Sequence, residues 1–309
     1  MKRWMKGMLI VALGFILVGG VAAGICLALG ASWADTAIVA RNSGWGFSEP
    51  RTWDFANQNI YEIEMETGTG EVIWQTGDHF RVEMTGSGPN YDCDVQNGVL
   101  KIEEKGSSGS WIFNWIVDHN GIHNSHRVIT VTVPEDEVLR KVDISVGTGS
   151  LEADSILADE AYIQVEVGEF TCDNLNVSGT AELEVDVGSI AVDSGRAAEA
   201  LNVEAGVGSA VLNEFVSGPA SMSADTGSVA YSGTIRGDWE ARCDLGSVAL
   251  FLDGTQENYN YIIECDLGDV EIGDLSYSSL SGSRQIENGA AYTADLSCDL
   301  GSIELSFAR

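Results

Sequence analysis

The sequence predicts an all-β chain: a β-solenoid, or single-stranded β-helix, of about 20-residue coils with Gly-Ser corners, preceded by one N-terminal transmembrane helix. Three observations carry that expectation. A glycine followed by Ser, Glu or Asp returns about every twenty residues, the residues around it alternate between apolar and polar, and a long uncharged apolar run opens the chain.

The opening run comes first. Residues 1–6 read MKRWMK, and Gly7 to Gly30 carry no charge. As a helix the run spans roughly 36 Å, enough to cross a hydrocarbon core of about 30 Å. Lys2, Arg3 and Lys6 mark residues 1–6 as a cytoplasmic tail by the positive-inside rule, so everything after Gly30 is expected outside the cell membrane. Residues 31–57 follow as a juxtamembrane linker. A cleaved signal peptide is the alternative, with Ser32-Trp33-Ala34 as its cleavage site, although such apolar regions usually run about 7 to 15 residues.

The repeat occupies residues 58–309. Its glycines are Gly149, Gly168, Gly188, Gly208, Gly227, Gly246, Gly268 and Gly301, at spacings of 19, 20, 20, 19, 19, 22 and 33, and Glu66 to Val72 hold an earlier copy around Gly70. Five residues before the glycine stand Ile144, Ile163, Leu183, Val203, Met222, Ala241, Ile263 and Leu296. Three before it stand Val146, Val165, Val185, Ala205, Ala224, Cys243, Cys265 and Cys298, and two after it a third apolar column from Leu151 to Ile303. Period-2 alternation means a strand with one buried face, so these columns are expected inward. The residue just before the glycine, such as Val167, Val187, Leu245, Leu267 and Leu300, is also mostly apolar and is expected inward too. A unit this short cannot hold a helical crossover, and winding the chain into coils stacked about 4.8 Å apart buries each face on the next. An immunoglobulin-like sandwich also has short strands at regular spacing, but would not keep one column identity over seven successive units.

Two irregularities mark insertions, at residues 106–127 and 273–291. The first contains WIFNWI, and Trp111, Phe113 and Trp115 are its candidate partner contacts; a strand or cap over the end of the solenoid is the other reading of the same residues.

The N-terminal MKRWMKG, the segment WIFNWI, the stretch VITVTVPEDEVLRKVDISVGTGSLEADS and the train of Gly-Ser corners together resemble the bacterial putative-adhesin family of β-strand-repeat envelope proteins. The likeness covers residues 58 to 309 and the anchor. It implies a β-solenoid displayed from a membrane, with no catalytic residues to carry over.

Charge excludes one class of partner. With 47 acidic and 16 basic residues the formal net charge is −31, and no Lys follows Lys141, so nucleic acid is not an expected partner. The motif Cys-Asp-Leu-Gly occurs three times, at Cys243, Cys265 and Cys298. Its cysteines read as a core ladder of small side chains; the alternative is a disulfide between Cys243 and Cys265, expected near 5 Å apart on neighbouring coils. Its aspartates continue an outward acidic column with Glu166, Asp186 and Asp225. Such a column is normally a solvated face, and Asp244, Asp266, Asp269 and Asp299 are candidate ligands for weakly bound Ca²⁺, a hard cation that takes six to eight oxygens. No other cofactor is expected. Carboxylates at every coil are a repeat property rather than an isolated acid and base, so a carbohydrate-active β-helix enzyme ranks below a non-enzymatic role. The expected function is interaction or adhesion at the cell envelope through a protein or polysaccharide partner. The alternative is a structural or sensory component that binds a membrane protein or wall polymer of the same cell.

Overall fold

The structure is a computed structural model that describes residues 50–86, 91–104, 127–278 and 283–308. Among the described residues no helix is long and apolar enough to cross a membrane. The expected tail at 1–6 and helix at 7–30 lie outside the described residues, as do Trp111, Phe113 and Trp115.

The strands are β1 (Arg51–Asp54), β2 (Glu62–Gly77), β3 (Arg81–Thr85), β4 (Tyr91–Gln96), β5 (Val99–Glu104), β6 (Val128–Pro134), β7 (Leu139–Val177), β8 (Thr180–Ala197), β9 (Ala200–Ser217) and β10 (Ala220–Ala224). They continue as β11 (Ser228–Ile235), β12 (Trp239–Cys243), β13 (Ser247–Asp253), β14 (Tyr259–Cys265), β15 (Asp269–Ile272), β16 (Leu275–Ser278), β17 (Arg284–Ile286), β18 (Tyr292–Cys298) and β19 (Ser302–Ala308). All join in one sheet wound on itself.

One coil shows how the sequence makes the winding. In β8, Ala181, Leu183 and Val185 point inward, the chain turns through Asp186–Ser189, and Ile190 and Val192 point inward again. The parallel ladder to β9 then skips Asp193 and Ser194, resumes at Gly195 opposite Phe215, and the coil closes through a second turn at 198–199. All three columns expected inward, at five and three residues before the glycine and two after it, are buried in every coil from Ile144 to Ile303.

The stacking order departs from chain order at both ends. β2 lies between the outermost coil, β5–β6, and the first coil of β7, pairing in parallel with both. From β7 through β8, β9, β10–β11 and β12–β13 each coil stacks on its predecessor. The last strands, β18 and β19, then return to fill the slot between β12–β13 and β14–β15. Cys298 therefore sits between Cys243 and Cys265, in register with both, which corrects the expectation that Cys243 and Cys265 are neighbours.

A coil at the end of a stack presents unpaired backbone N–H and C=O groups to any other chain. Both ends are covered by antiparallel strands. β4 lies on β5, β3 on β6 and β1 on β3 at one end, and β17 lies on β14 and β16 on β15 at the other. The insertion at 273–291 thus contributes capping strands in its described residues, with Arg284 stacked 5.0 Å over the Tyr277 ring.

Candidate functional site

The corner edge, where every coil turns from its first strand to its second, is the most distinctive surface of the solenoid. Its glycines stand in a column. A Cβ on Gly188 would run into the carbonyl oxygen of Gly168, one on Gly208 into Gly188, one on Gly246 into Gly227 and one on Gly301 into Gly246. The close stacking of backbone on backbone, rather than turn geometry alone, requires glycine at this position; at Gly188 a φ of +146° adds a second reason.

The residue before the glycine faces solvent. Val167, Val187 and Val207 are 43%, 47% and 37% exposed, and Leu245, Leu300 and Leu267 are 59%, 54% and 72% exposed. This corrects the inward placement expected for that column. Four residues, not two, make the outside of the corner: in Cys243 to Val248 only the two end residues point inward, and Asp244, Leu245, Gly246 and Ser247 wrap around the bend. A clue lay in the sequence. In the eight coils from Gly149 to Gly301 the column three before the glycine holds no hydroxyl, whereas the column just before it holds Thr148 and Thr226.

The corner is held rigid by its own backbone. Leu245 N donates to Asp225 O at 2.7 Å, Leu300 N to Asp244 O at 2.8 Å and Leu267 N to Asp299 O at 2.8 Å, so the parallel ladder runs through the bend. Val and Leu side chains are thereby presented as a fixed ridge along the solenoid axis in the order Val167, Val187, Val207, Thr226, Leu245, Leu300, Leu267.

Beneath the ridge lie the thiols. Cys243, Cys298 and Cys265 are buried, and Cys265 Sγ donates to Gly268 O at 2.9 Å. A Cβ on Gly301 would meet Cys243 Sγ, so the glycine also makes room for the sulfur below it. Cys243 and Cys298 hydrogen-bond to each other. That bond, then burial, then the negative charge a Cys243 thiolate would carry push the Cys298 thiol well above its ordinary range. All three cysteines are reduced thiols rather than half-cystines, as are Cys93 and Cys172, whose thiols burial pushes up to about 12.

Beside the ridge runs the acidic column. Asp244, Asp299 and Asp266 stand on successive coils in that order, and Asp269 takes the serine position of the last corner. Arg242 Nε pairs with Asp244 Oδ1 at 3.1 Å. Among the described residues no three carboxylate, thiol or imidazole groups converge to hold a metal ion. Of the four aspartates put forward for Ca²⁺, Asp244, Asp299 and Asp266 form a row on one side of the ridge and Asp269 stands in the serine column on the other.

The outer face of the first strands extends this charge. A shallow depression of about 350 Å³ there is lined by residues that include Glu182, Glu184, Glu204 and Glu240. Burial, then the charges of Asp186 and Glu204, push the Glu184 carboxyl above its usual range, and burial followed by Asp186 does the same to Glu166. Sequence reasoning found the acidic column at the corner but not this facet, whose acids alternate with inward residues as on any half-buried strand.

Similar solved structures include a Bacteroides fragilis protein described as a putative adhesin, 16% identical, with a TM-score of 0.41 over 83% of this chain and 96% of that one. A Parabacteroides distasonis protein of the same description is 14% identical, with a TM-score of 0.42 over 83% of this chain and 97% of that one. One from Parabacteroides merdae is 10% identical, with a TM-score of 0.41 over 82% and 95%. Comparison with curated proteins finds no match. The family model Toastrack DUF4097 matches residues 60–306, and the chain belongs to that family.

Proposed function

We propose that this protein is a non-enzymatic component of the cell envelope, held in the cell membrane by residues 7–30 with its N-terminus in the cytoplasm, that displays an acidic β-solenoid outside the cell for interaction or adhesion. The observation that carries the reading is the corner edge, where a rigid row of exposed Val and Leu runs beside a row of carboxylates. A monomeric surface rarely leaves apolar side chains contiguous and exposed unless something covers them. A protein or polysaccharide of the envelope is the partner, and the edge works without a cofactor. An enzyme would need one localised acid and base; here carboxylates recur coil after coil.

The test is crosslinking of the full-length chain in intact cells. Replacing Leu245, Leu300 and Leu267 together by Ser lowers capture of envelope material several-fold, while three Ser substitutions at the remote exposed positions Val138, Phe251 and Leu275 leave it unchanged. Equal capture by both variants, or turnover of any glycan by the purified protein, overturns the reading.

A further inference from the structure

We infer that the corner ridge is a docking surface for a basic amphipathic α-helix, an inference that rests on the interaction reading above and names the partner's chemistry. Three features of the edge select this occupant.

The first is spacing. The ridge carries one side chain per coil, so its step is the distance between strands, about 4.8 Å. A helix lying along the solenoid axis returns an apolar residue to the same side every turn, about 5.4 Å, and so drifts from the ridge by only about 0.6 Å per contact. An extended strand laid the same way repeats on one face every 6.6 to 6.8 Å or so and loses register within about three contacts. It would also find no backbone partners, because the corner amides of Leu245, Leu300 and Leu267 are already bonded to the neighbouring coil.

The second is charge. Asp244, Asp299 and Asp266 border the leucines on one side, while the other side carries Ser247 and Ser302 before Asp269 at the last corner. The depression that includes Glu184, Glu204 and Glu240 continues the acidic side. Lys or Arg along one flank of a helix's apolar stripe meets this arrangement. A second copy of the chain would bring carboxylates against carboxylates, and a net charge of −31 opposes that pairing as it opposes an anionic lipid surface.

The third is length and gradation. From Val167 to Leu267 the ridge spans roughly 29 Å at the coil spacing, which matches a helix of about 19 residues. The leucine end is the more exposed and bulkier, so Leu245, Leu300 and Leu267 anchor the helix and the valines extend the contact.

The probe is a labelled Leu/Lys peptide of about 18 residues patterned as an amphipathic helix, titrated by fluorescence anisotropy against the full-length protein in phosphatidylcholine nanodiscs, with protein-free nanodiscs as the blank. Saturable binding is expected, weakened as salt is raised. It falls at least tenfold for the Leu245→Ser/Leu300→Ser/Leu267→Ser variant and for Asp244→Asn/Asp299→Asn/Asp266→Asn. A peptide of the same composition with Leu and Lys strictly alternating binds at least tenfold more weakly. The leucines are exposed and the aspartates lie at the surface, with Asp244 paired only to Arg242 among the described residues, so both variants melt cooperatively close to the parent, which separates lost binding from lost folding. Equal binding of the alternating peptide, or undiminished binding by the leucine variant, overturns the inference. A concentration-dependent dimer that the leucine variant abolishes would assign the ridge to a second copy and overturn it too. If the leucine variant loses envelope capture in cells yet binds the helical peptide as before, the interaction reading stands and only the helix is wrong.

Discussion

The middle coils and the last coils of the solenoid use the same corner but are reached by the chain in different ways. From β7 to β13 each coil stacks on the one made just before it, so its contacts lie about twenty residues away in sequence. At the C-terminal end β14–β15 is laid out first and β18–β19 then enters between it and β12–β13. The difference teaches that column identity decides which side chains point inward but does not decide stacking order. Cys243, Cys265 and Cys298 present equivalent rungs, so side-chain type alone permits them to stack in any order. What sets the order is the closure of the intervening loops and the antiparallel strands β16 and β17, which cover the outer edge of β14–β15 and leave β18–β19 the inner slot.

Glycine-to-alanine changes probe that comparison with the largest expected effect. Gly188→Ala, in the middle, forces a Cβ into the Gly168 carbonyl at a φ of +146°. Backbone strain and overpacking together cost about 2–4 kcal/mol. Gly301→Ala, in the inserted coil, meets both the Gly246 carbonyl and Cys243 Sγ without an unusual φ, and costs about 1–3 kcal/mol. Chemical denaturation midpoints measure both. Adding Cys243→Ala to Gly301→Ala should recover part of the loss, read as a positive coupling in a double-mutant cycle; a coupling of zero would mean that the sulfur is not the obstacle.

The cysteines then test whether the inserted coil opens separately. Iodoacetamide near neutral pH should leave Cys93, Cys172, Cys243, Cys265 and Cys298 unmodified for hours, because all five are buried and the reagent must reach the sulfur to react. In denaturant well below the midpoint, Cys298 and Cys265 should be alkylated ahead of Cys172, which lies between regular coils. Peptide mass spectrometry resolves the order. Equal rates at all three would show that the last coils open only with the whole solenoid.

Much of this architecture was legible. The period-2 columns placed Ile163, Val165 and Phe170 and their equivalents correctly, because an inward position on a repeated strand is constrained in every coil. Leu245, Leu300 and Leu267 were misplaced because an apolar residue on a corner looks locally like an inward one. The count of residues around a bend, four in this protein, is set by backbone geometry that alternation does not encode. The acidic column could be read from sequence. For the ridge beside it the sequence held only the hint of Thr148 and Thr226 in an otherwise apolar column, and the corner seen in three dimensions was needed to turn that column outward.

The smallest expected effect concerns like charges brought into register, once in the middle and once in the inserted coil. Glu184 faces Glu204 across β8 and β9, and Asp295 faces Glu240 across β18 and β12. Burial comes first and neighbouring carboxylates second in pushing both groups above their ordinary values of 4.5 and 3.8. An acid whose pKa is higher in the folded state binds its proton more tightly there. The associated stability is therefore full below the unfolded value and is lost as pH rises through the folded value. Mild acidification from pH 7 towards about 5 should accordingly raise the melting temperature rather than lower it. Glu184→Gln and Asp295→Asn should each raise it by about 1–2 °C at pH 7, with the gain shrinking as the pH approaches about 4, since exposed charge pairs contribute only tenths of a kcal/mol. If Asp295→Asn gains clearly more than Glu184→Gln, the inserted coil holds its charges against greater resistance than a coil stacked in chain order. Equal gains would mean that the slot, once filled, is electrostatically no different from the middle of the stack.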